Sequence, residues 1–383
     1  MNKISFIFIL SILCIYKSLK VTSKKQFKKK LPELKPRLPN TISFYVDKSL
    51  LHGSMLKKTI KIVENHICIK FLEQETEVTG AGINFFKTSN YSDIILDKNL
   101  SKPTNIYFNN KDLHPNQLKY LYFFTGMALG LIPETTRYDR DKYIEVDEKN
   151  ITEPYLKYYK KETTKRNYFS SFDYGSVMVP KKTFGSIRYN TYTYKAKYFP
   201  NYDYVSGWTY SFAISDYRRL DRMYCKNKCP NLKGCNNRGY PYTRTGCERC
   251  ECDIHFIRPV CDTYPVHGHI ACGIKSFFKS YRKKSYITRK NVNGTCYYRI
   301  KSSNGKKVSV TVNSLVSSSP VSDEGLFFGL NIYYRSDWSI KPLILCANTS
   351  NVKIPPLNKE VYLVYYSTNS DPPVNFTITY RSI

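Results

Sequence analysis

Hydrophobic and polar positions alternate with different periodicities in the two halves of the chain. In the N-terminal half, Leu56–Ile67 repeats apolar residues at helical spacing, and Leu118–Ile132 is an apolar run long enough for a buried helix. Alternating stretches at Ile42–Leu50, Ile83–Phe86 and Thr104–Phe108 predict short strands around these helices. The N-terminal half is therefore predicted to be a mixed α+β domain.

The chain becomes rich in period-two alternation from about Thr263 onward. Turn-forming residues separate five such stretches, which predict strands: Cys296–Ile300, Val308–Val312, Leu330–Tyr334, Val361–Tyr366 and Val374–Tyr380. This pattern favours an all-β domain that follows the mixed one.

The apolar run Leu118–Ile132 is, on periodicity alone, an ordinary core helix. Phe123 and Met127 stand four residues apart and so share one helical face. Gly130 suits a helix end, and Pro133 suits a sharp stop shortly after it. The pattern by itself gives this helix no chemistry.

The N-terminus has the composition of an export signal. An apolar stretch, Ile4–Tyr16, follows Lys3 and is too short to span a bilayer comfortably. We expect residues 1–20 to be a signal peptide and the protein to be secreted, without a transmembrane segment. Residues 21–40 hold seven Lys or Arg against one acid, Glu33, and three prolines. They predict a disordered basic lead-in.

The twelve cysteines are candidates for disulfides in an exported chain. Cys14 falls in the expected signal peptide, and six others crowd into Cys229–Cys261. That density indicates a small disulfide-rich module at 226–262. The disfavoured alternative is that Cys247-x-x-Cys250 is a zinc-binding or redox motif. Six N-glycosylation sequons fit the secretory route: Asn90, Asn99, Asn150, Asn293, Asn348 and Asn375.

The formal net charge of +30 raises the question of a nucleic-acid partner. The basic residues are spread along the whole chain, and export separates the protein from most nucleic acid. Outside a cell, such charge holds a protein near anionic glycans or membranes. Lys24–Lys30 and Lys279–Lys290 are the densest basic patches. The charge therefore predicts an anionic glycan more readily than a nucleic acid.

The segment Leu121–Glu134 has the frame of the zinc-binding helix of metzincins, H-E-x-x-H-x-x-G-x-x-H. In this alignment, Gly130 takes the place of the glycine in the metzincin pattern. Downstream, Glu134–Ile144 resembles the segment that follows the third histidine in astacins, and Ser176–Pro180 resembles the astacin Met-turn at Met178. The chain is thus similar to the astacin family of zinc metalloendopeptidases, in the nematode type. The resemblance implies an astacin-like peptidase domain at 41–225, an EGF-like module at 226–262 and a CUB-like β sandwich at 263–383.

The resemblance also places the family's active-site positions in this sequence. The three zinc-ligand positions hold Phe123, Met127 and Pro133, and the general-base position holds Phe124. None offers the nitrogen, oxygen or thiolate donor that a catalytic zinc requires, and Phe124 exchanges no proton. The zinc of active relatives is therefore expected to be absent, and no other cofactor is indicated. The propeptide aspartate that caps zinc in active astacins is also missing from 21–40.

The family resemblance implies a set of disulfides. Cys68 would pair with Cys225, Cys252 with Cys261 and Cys272 with Cys296. Within the EGF-like module, the favoured arrangement nests Cys235–Cys247 inside Cys229–Cys250, although spacing alone does not decide it. Cys346 is left over and is either free or paired between chains.

Three functions follow from the sequence. The first is a secreted, catalytically dead astacin homologue that binds an extracellular protein or an anionic glycan. The alternative is an active zinc-dependent endopeptidase, as family membership alone suggests. A glycosaminoglycan-binding module acting through charge is a third possibility.

Overall fold

A computed structural model describes residues 31–97, 100–114, 118–199, 202, 211–232, 234–317, 329–346, 348–367 and 371–383. The predicted signal peptide, most of the basic lead-in and the sequon residue Asn99 lie outside these residues. The elements below belong to one compact unit, Glu33–Ile383. Within the described part of the chain, no helix is both long and apolar enough to cross a membrane.

A five-stranded sheet forms the base of the N-terminal part. Its strands are β1 (Thr41–Val46), β2 (Lys70–Gln74), β3 (Gly82–Lys87), β4 (Asp93–Ile95) and β5 (Thr104–Phe108). They lie in the order β2-β1-β3-β5-β4, parallel except for the antiparallel edge strand β4. Alternate side chains such as Phe44, Phe85 and Phe108 are buried. This alternation is what the sequence pattern predicts for the buried face of a sheet.

Three α-helices of the described residues accompany this sheet: α1 (Gly53–His66), α2 (Leu118–Ala128) and α3 (Ile214–Tyr224). Helix α1 buries Leu56, Ile60 and Val63, the face that its apolar spacing predicts. Helix α2 is buried all round, as expected for a helix that is apolar on every side. Two short strands, β6 (Ile144–Val146) and β7 (Tyr194–Ala196), pair antiparallel farther along.

The end of the predicted lead-in is folded, which corrects the expectation of disorder up to residue 40. Leu34 and Leu38 are buried in the main core. The Asn40 side-chain amide donates to the Tyr224 carbonyl oxygen at 3.0 Å. Gly130, with a φ of +97°, admits the segment because a Cβ there would lie 2.6 Å from the Lys35 carbonyl oxygen. The segment is folded because Leu34 and Leu38, which lie among its lysines, pack into the main hydrophobic core.

A small disulfide-rich module follows α3. Its regular structure includes a short hairpin, β8 (Tyr240–Pro241) with β9 (Cys250–Glu251). The module contributes Phe256 to a second hydrophobic cluster, in which its ring stacks on that of Trp338 at 5.8 Å between centroids. This cluster joins the module to the C-terminal domain.

The C-terminal domain is a sandwich of two sheets. One has the order β10-β12-β17-β14-β15 and the other β11-β18-β13-β16. The strands of the sandwich are β10 (Phe277–Ser280), β11 (Ser285–Val292), β12 (Cys296–Ser302), β13 (Val308–Ser317), β14 (Gly329–Tyr333), β15 (Leu343–Leu345), β16 (Thr349–Ile354), β17 (Glu360–Tyr366) and β18 (Val374–Ser382). The predicted fold class, an α+β part followed by a disulfide-rich module and an all-β sandwich, is confirmed.

Five disulfides are present among the described residues, and they are Cys68–Cys225, Cys229–Cys247, Cys235–Cys250, Cys252–Cys261 and Cys272–Cys296. Cys346 is exposed and lies outside these five bridges. The favoured nested pairs Cys229–Cys250 and Cys235–Cys247 are replaced by a crossed arrangement. Cys250 is fully buried in β9, where its amide donates to the Pro259 carbonyl oxygen. Cys247 follows a left-handed turn and is left to meet Cys229, with their Cα atoms 5.4 Å apart.

Candidate functional site

Helix α2 carries three of the four positions that the family resemblance aligns with catalytic residues: Phe123, Phe124 and Met127. The Phe123 ring lies 5.8 Å from that of Tyr158 and 5.6 Å from that of Phe184, between centroids. The Phe124 ring lies 5.8 Å from that of Phe108 and 6.0 Å from that of Tyr158. We call these five rings the aromatic cluster. It is closely packed apolar core, in the edge-to-face and tilted geometries that aromatic rings favour.

The other two ligand positions are also enclosed. Met127 and Pro133 are both buried. Met178, the predicted Met-turn residue, lies beneath the helix: a Cβ on Gly126 would come within 2.7 Å of the Met178 sulfur. The Glu134 amide donates to the Met178 carbonyl oxygen at 2.8 Å. The structure thus places Met178 against the helix and next to Glu134, the residue that follows Pro133.

The donors at these positions do not fit a zinc ion. A phenylalanine ring and a proline ring offer no lone pair, and a single thioether does not complete a site. Within the described ranges, no group of three or more His, Cys, Asp or Glu side chains is placed to hold a metal. His66 lies against Tyr217, with 4.5 Å between ring centroids, and His52 lies against His114 at 5.9 Å.

The aromatic cluster is closed from the side of the edge strand β4. A short 3-10 helix, Glu153–Tyr158, ends on Tyr158, whose hydroxyl donates to the Asp93 carboxylate. Lys157 forms an ion pair with the same carboxylate at 2.6 Å. Burial, together with Asp93, raises the pKa of Tyr158, so the phenol stays protonated. These contacts tie the cover of the cluster to the sheet.

Sequence reasoning missed a buried carboxylate network beside the site, formed by Glu134, Asp173 and Asp216 with Arg137 and Arg219. Glu134 accepts from the Asp173 amide at 3.0 Å and from the Arg137 guanidinium at 3.3 Å, and it is ion-paired with Arg219. Asp216 accepts from the Ser176 hydroxyl at 2.6 Å and from the Ala213 amide at 3.0 Å. Nearly every member is fully buried, so each charge depends on the others.

The network links three parts of the chain: the residues after the third ligand position, the Met-turn and helix α3. Burial raises the pKa of Asp216 to about 6, although Arg219 and Ser176 act in the opposite direction. Burial likewise raises the pKa of Asp173. The sequence carries no signal for this network, since none of its five members lies in the apolar run Leu118–Ile132. Their partners are up to 85 residues away in sequence, which no local pattern reveals.

One further ionisable group lies deep in the same region. Lys119, on helix α2, is fully buried, and burial together with Lys181 lowers its pKa to about 7. The predicted basic patch Lys279–Lys290 lies elsewhere, on β10, β11 and the turn between them. The other predicted patch, Lys24–Lys30, is outside the described residues.

Comparisons with known proteins place the N-terminal part of the chain in a peptidase family. A family model described as Astacin, a peptidase family, matches residues 35–225. Zinc metalloproteinase nas-34 of Caenorhabditis elegans is 29% identical over 263 residues, covering 67% of this chain and 41% of that protein. Zinc metalloproteinase nas-36 of Brugia malayi is 27% identical over 237 residues, covering 58% and 38%. The chain therefore spans about two fifths of the length of these two relatives.

A shorter relative matches over most of its length. Zinc metalloproteinase nas-20 of Caenorhabditis elegans is 24% identical over 357 residues, covering 88% of this chain and 85% of that protein. Among solved structures, high choriolytic enzyme 1, a hatching enzyme zinc-protease of Oryzias latipes, has 21% identity and a TM-score of 0.40, covering 47% of this chain and 87% of that chain. The CUB1-EGF-CUB2 domain of human MASP-1/3 has 17% identity and a TM-score of 0.24, covering 39% and 55%. Through residues 35–225, the chain belongs to the astacin family of peptidases.

Proposed function

We propose that this protein is a secreted astacin homologue without peptidase activity, which acts by binding an extracellular protein or glycan. The observation that carries the proposal is the aromatic cluster, because it contains the first zinc-ligand position, Phe123, and the general-base position, Phe124. Both side chains are almost completely buried. The catalytic positions have become hydrophobic core.

The chemistry of peptide hydrolysis explains why this loss is decisive. A catalytic zinc needs three protein ligands and an open position for water, and it lowers the pKa of that water to about 7. Met127 is the single potential donor among the three ligand positions, and its thioether suits soft metals. Phe124 has no group that accepts a proton from water. Neither the nucleophile nor the base of the family's reaction can form at these positions.

Secretion is supported by the cysteines and by the N-terminal sequence. Five disulfides favour an oxidising compartment, since such bridges are rare in reducing ones. The apolar stretch Ile4–Tyr16 after Lys3 suits a signal peptide. We therefore propose an extracellular protein, in which 226–262 is an EGF-like module and 263–383 a CUB-like module.

The decisive test is a zinc measurement on the protein purified from the medium of secreting cells. We expect far less than one zinc per chain by mass spectrometry after dialysis against trace zinc. We also expect no cleavage of casein or of quenched fluorescent peptides. A triple variant, Phe123→His with Met127→His and Pro133→His, is the matched control, since it supplies three imidazoles at the positions that align with the zinc ligands.

Active zinc endopeptidase is the competing function, because the curated relatives are named zinc metalloproteinases. One zinc per wild-type chain, with proteolysis that a chelator abolishes, would establish it and overturn our proposal. Zinc uptake by the triple variant alone would assign the loss of metal to these three side chains.

A further inference from the structure

One end of the β sandwich gathers exposed cations from three separate turns. We define the basic end by Arg282, Lys283, Lys284, Lys306, Lys307 and Lys359, all of them exposed. We propose that the basic end is a binding site for a linear sulfated polysaccharide. The inference deepens the binding function proposed above and rests on it for the extracellular setting.

The fold brings the three turns together through backbone hydrogen bonds. The turn between β10 and β11 is joined to that between β12 and β13, because the Ser303 amide donates to the Ser280 carbonyl oxygen at 3.0 Å. The latter turn meets the one between β16 and β17, since the Val308 amide donates to the Asn358 carbonyl oxygen at 2.8 Å. Residues that are up to 77 positions apart in sequence thus form one surface.

The C-terminal strand closes the same surface. The Ser382 amide donates to the Tyr281 carbonyl oxygen at 2.7 Å, and the Ile383 amide donates to the Lys307 carbonyl oxygen at 3.0 Å. Lys306, Lys307 and Lys359 line a concavity of about 500 Å³ here. The basic end therefore includes an open depression that three of its lysines line.

Acidic side chains are scarce around the basic end. In the segments that form it, 279–284, 301–308, 355–360 and 381–383, the single acidic residue is Glu360. Glu360 is bonded to Arg299, whose Nη2 donates to its Oε2 at 3.2 Å. Lys279, Lys301 and Arg381 extend the positive surface along the adjoining strands. Such a field attracts polyanions and is screened by salt.

The neighbouring sheet face suits a sugar chain. By strand register, Tyr286 stands beside Thr379, Thr379 beside Thr311, and Thr311 beside Lys353, which gives a row across all four strands. These side chains offer hydroxyl groups and an ammonium to a flat, extended ligand. A sulfated polysaccharide combines hydroxyls with regularly spaced anions, so it matches both the row and the basic end.

The sequons of the sandwich lie at its other end. Asn293 is in the turn after β11, Asn348 precedes β16, and Asn375 is at the start of β18. The Asn375 side chain accepts from the Asn291 amide at 2.9 Å, which places these two turns together. Glycans attached at these positions would leave the basic end open.

The test is retention on immobilised heparin at rising salt, with the full secreted chain. The site variant is Lys306→Glu with Lys307→Glu and Lys359→Glu. The matched control, Lys48→Glu with Lys149→Glu and Lys165→Glu, changes the net charge by the same amount at exposed positions of the α+β part. We expect the site variant to bind heparin at least about tenfold more weakly, and the control to change much less.

Desulfated heparin and phosphatidylserine vesicles separate the ligand classes. We expect desulfated heparin to lose binding, because sulfate supplies the anions. If the site and control variants lose heparin binding equally, net charge alone explains the binding, and the proposal is overturned. Binding to vesicles without binding to heparin would replace the polysaccharide with a membrane surface. If the protein binds heparin and also cleaves peptides, only the inactive function proposed earlier is refuted. If it neither cleaves peptides nor binds heparin, only the polysaccharide site is refuted.

Discussion

At the scale of single residues, the positions that align with the family's first zinc ligand and general base contribute to stability through packing. Phe124 has no exposed surface, and its ring contacts Phe108, Tyr158 and Phe184. A histidine or glutamate there would need hydrogen-bond partners that this cluster does not provide, and burying a polar group without one is costly. A single polar substitution at Phe124 is therefore expected to cost stability.

Phe124→Ala should destabilise the protein by about 3–5 kcal/mol, as is usual for removing a buried phenylalanine. The expected cause is a cavity in the aromatic cluster that the surrounding rings fill only in part. Denaturant unfolding of the purified protein measures the effect. Tyr189→Ala is the control, because Tyr189 is 94% exposed and its removal should change the stability little. A Phe124→Ala protein as stable as wild type would contradict the packing described here.

Asp221 on helix α3 should make stability depend on pH. The side chain is 6% exposed, and burial raises its pKa from 3.8 to about 7, against the opposing charges of Arg222 and Arg218. The folded protein therefore holds this proton at a pH where the unfolded chain has released it. Folding stability attributable to Asp221 is complete below pH 3.8 and is lost as the pH rises towards about 7.

Asp221→Asn removes this titration while keeping the shape of the side chain. We expect the variant to resemble wild type in thermal stability near pH 4 and to exceed it near pH 8. Melting temperatures across that range measure the difference. Asp262→Asn, at an exposed position, is the control. A constant difference between Asp221→Asn and wild type at every pH would show that Asp221 does not titrate in this range.

At the scale of elements, the sequence predicted what depends on local periodicity. The apolar run identified helix α2, and Gly130 and Pro133 located its end, because a buried helix needs apolar residues on all sides. The alternating stretches identified five of the nine sandwich strands in the described part of the chain, β12, β13, β14, β17 and β18. The burial of Leu34 and Leu38 escaped prediction because lysines and prolines surround them. The network around Glu134 also escaped, since Arg219 is 85 residues away.

The crossed disulfides can be read directly from tryptic peptides. Trypsin should release residues 229–233, 234–238 and 245–249, each with one cysteine. The structure predicts that 245–249 is linked to 229–233 through Cys247 and Cys229. Mass spectrometry without reduction distinguishes this product from the nested alternative, in which 245–249 is linked to 234–238. Finding the second product would restore the arrangement that the sequence favoured.

The Cys68–Cys225 bridge should contribute more stability than a bridge that closes a short loop. It joins residues 157 positions apart, whereas Cys252–Cys261 spans 9. In the chain-entropy model, the two bridges are worth about 5 and about 3 kcal/mol. We expect the double variant Cys68→Ser/Cys225→Ser to melt at a lower temperature and to be secreted less than Cys252→Ser/Cys261→Ser. The reverse order would show that native strain or local structure outweighs loop entropy.

At the scale of the whole molecule, a loop of the sandwich joins it to the α+β part. Asp337 accepts from the Ser171 amide at 2.7 Å, and its carboxylate lies 3.7 Å from the Arg218 guanidinium. Nearby, the Lys341 amide donates to Asp173, a member of the buried carboxylate network, at 2.9 Å. The buried carboxylate network is therefore continuous with the domain interface, and the two parts support each other.

Asp337→Ala should weaken this interface and make the chain at the domain boundary accessible to proteases. Removing one partner of a buried ion pair leaves the other charge uncompensated, which typically costs about 3–5 kcal/mol. Arg218 would be that charge, because it is 5% exposed. We expect faster limited proteolysis between the α+β part and the sandwich, together with a lower melting temperature. The double variant Asp337→Ala/Arg218→Met is the control, since it removes the stranded charge as well and should recover part of the loss. Equal stability of Asp337→Ala and wild type would mean that the loop docks through its aromatic contacts and not through this charge pair.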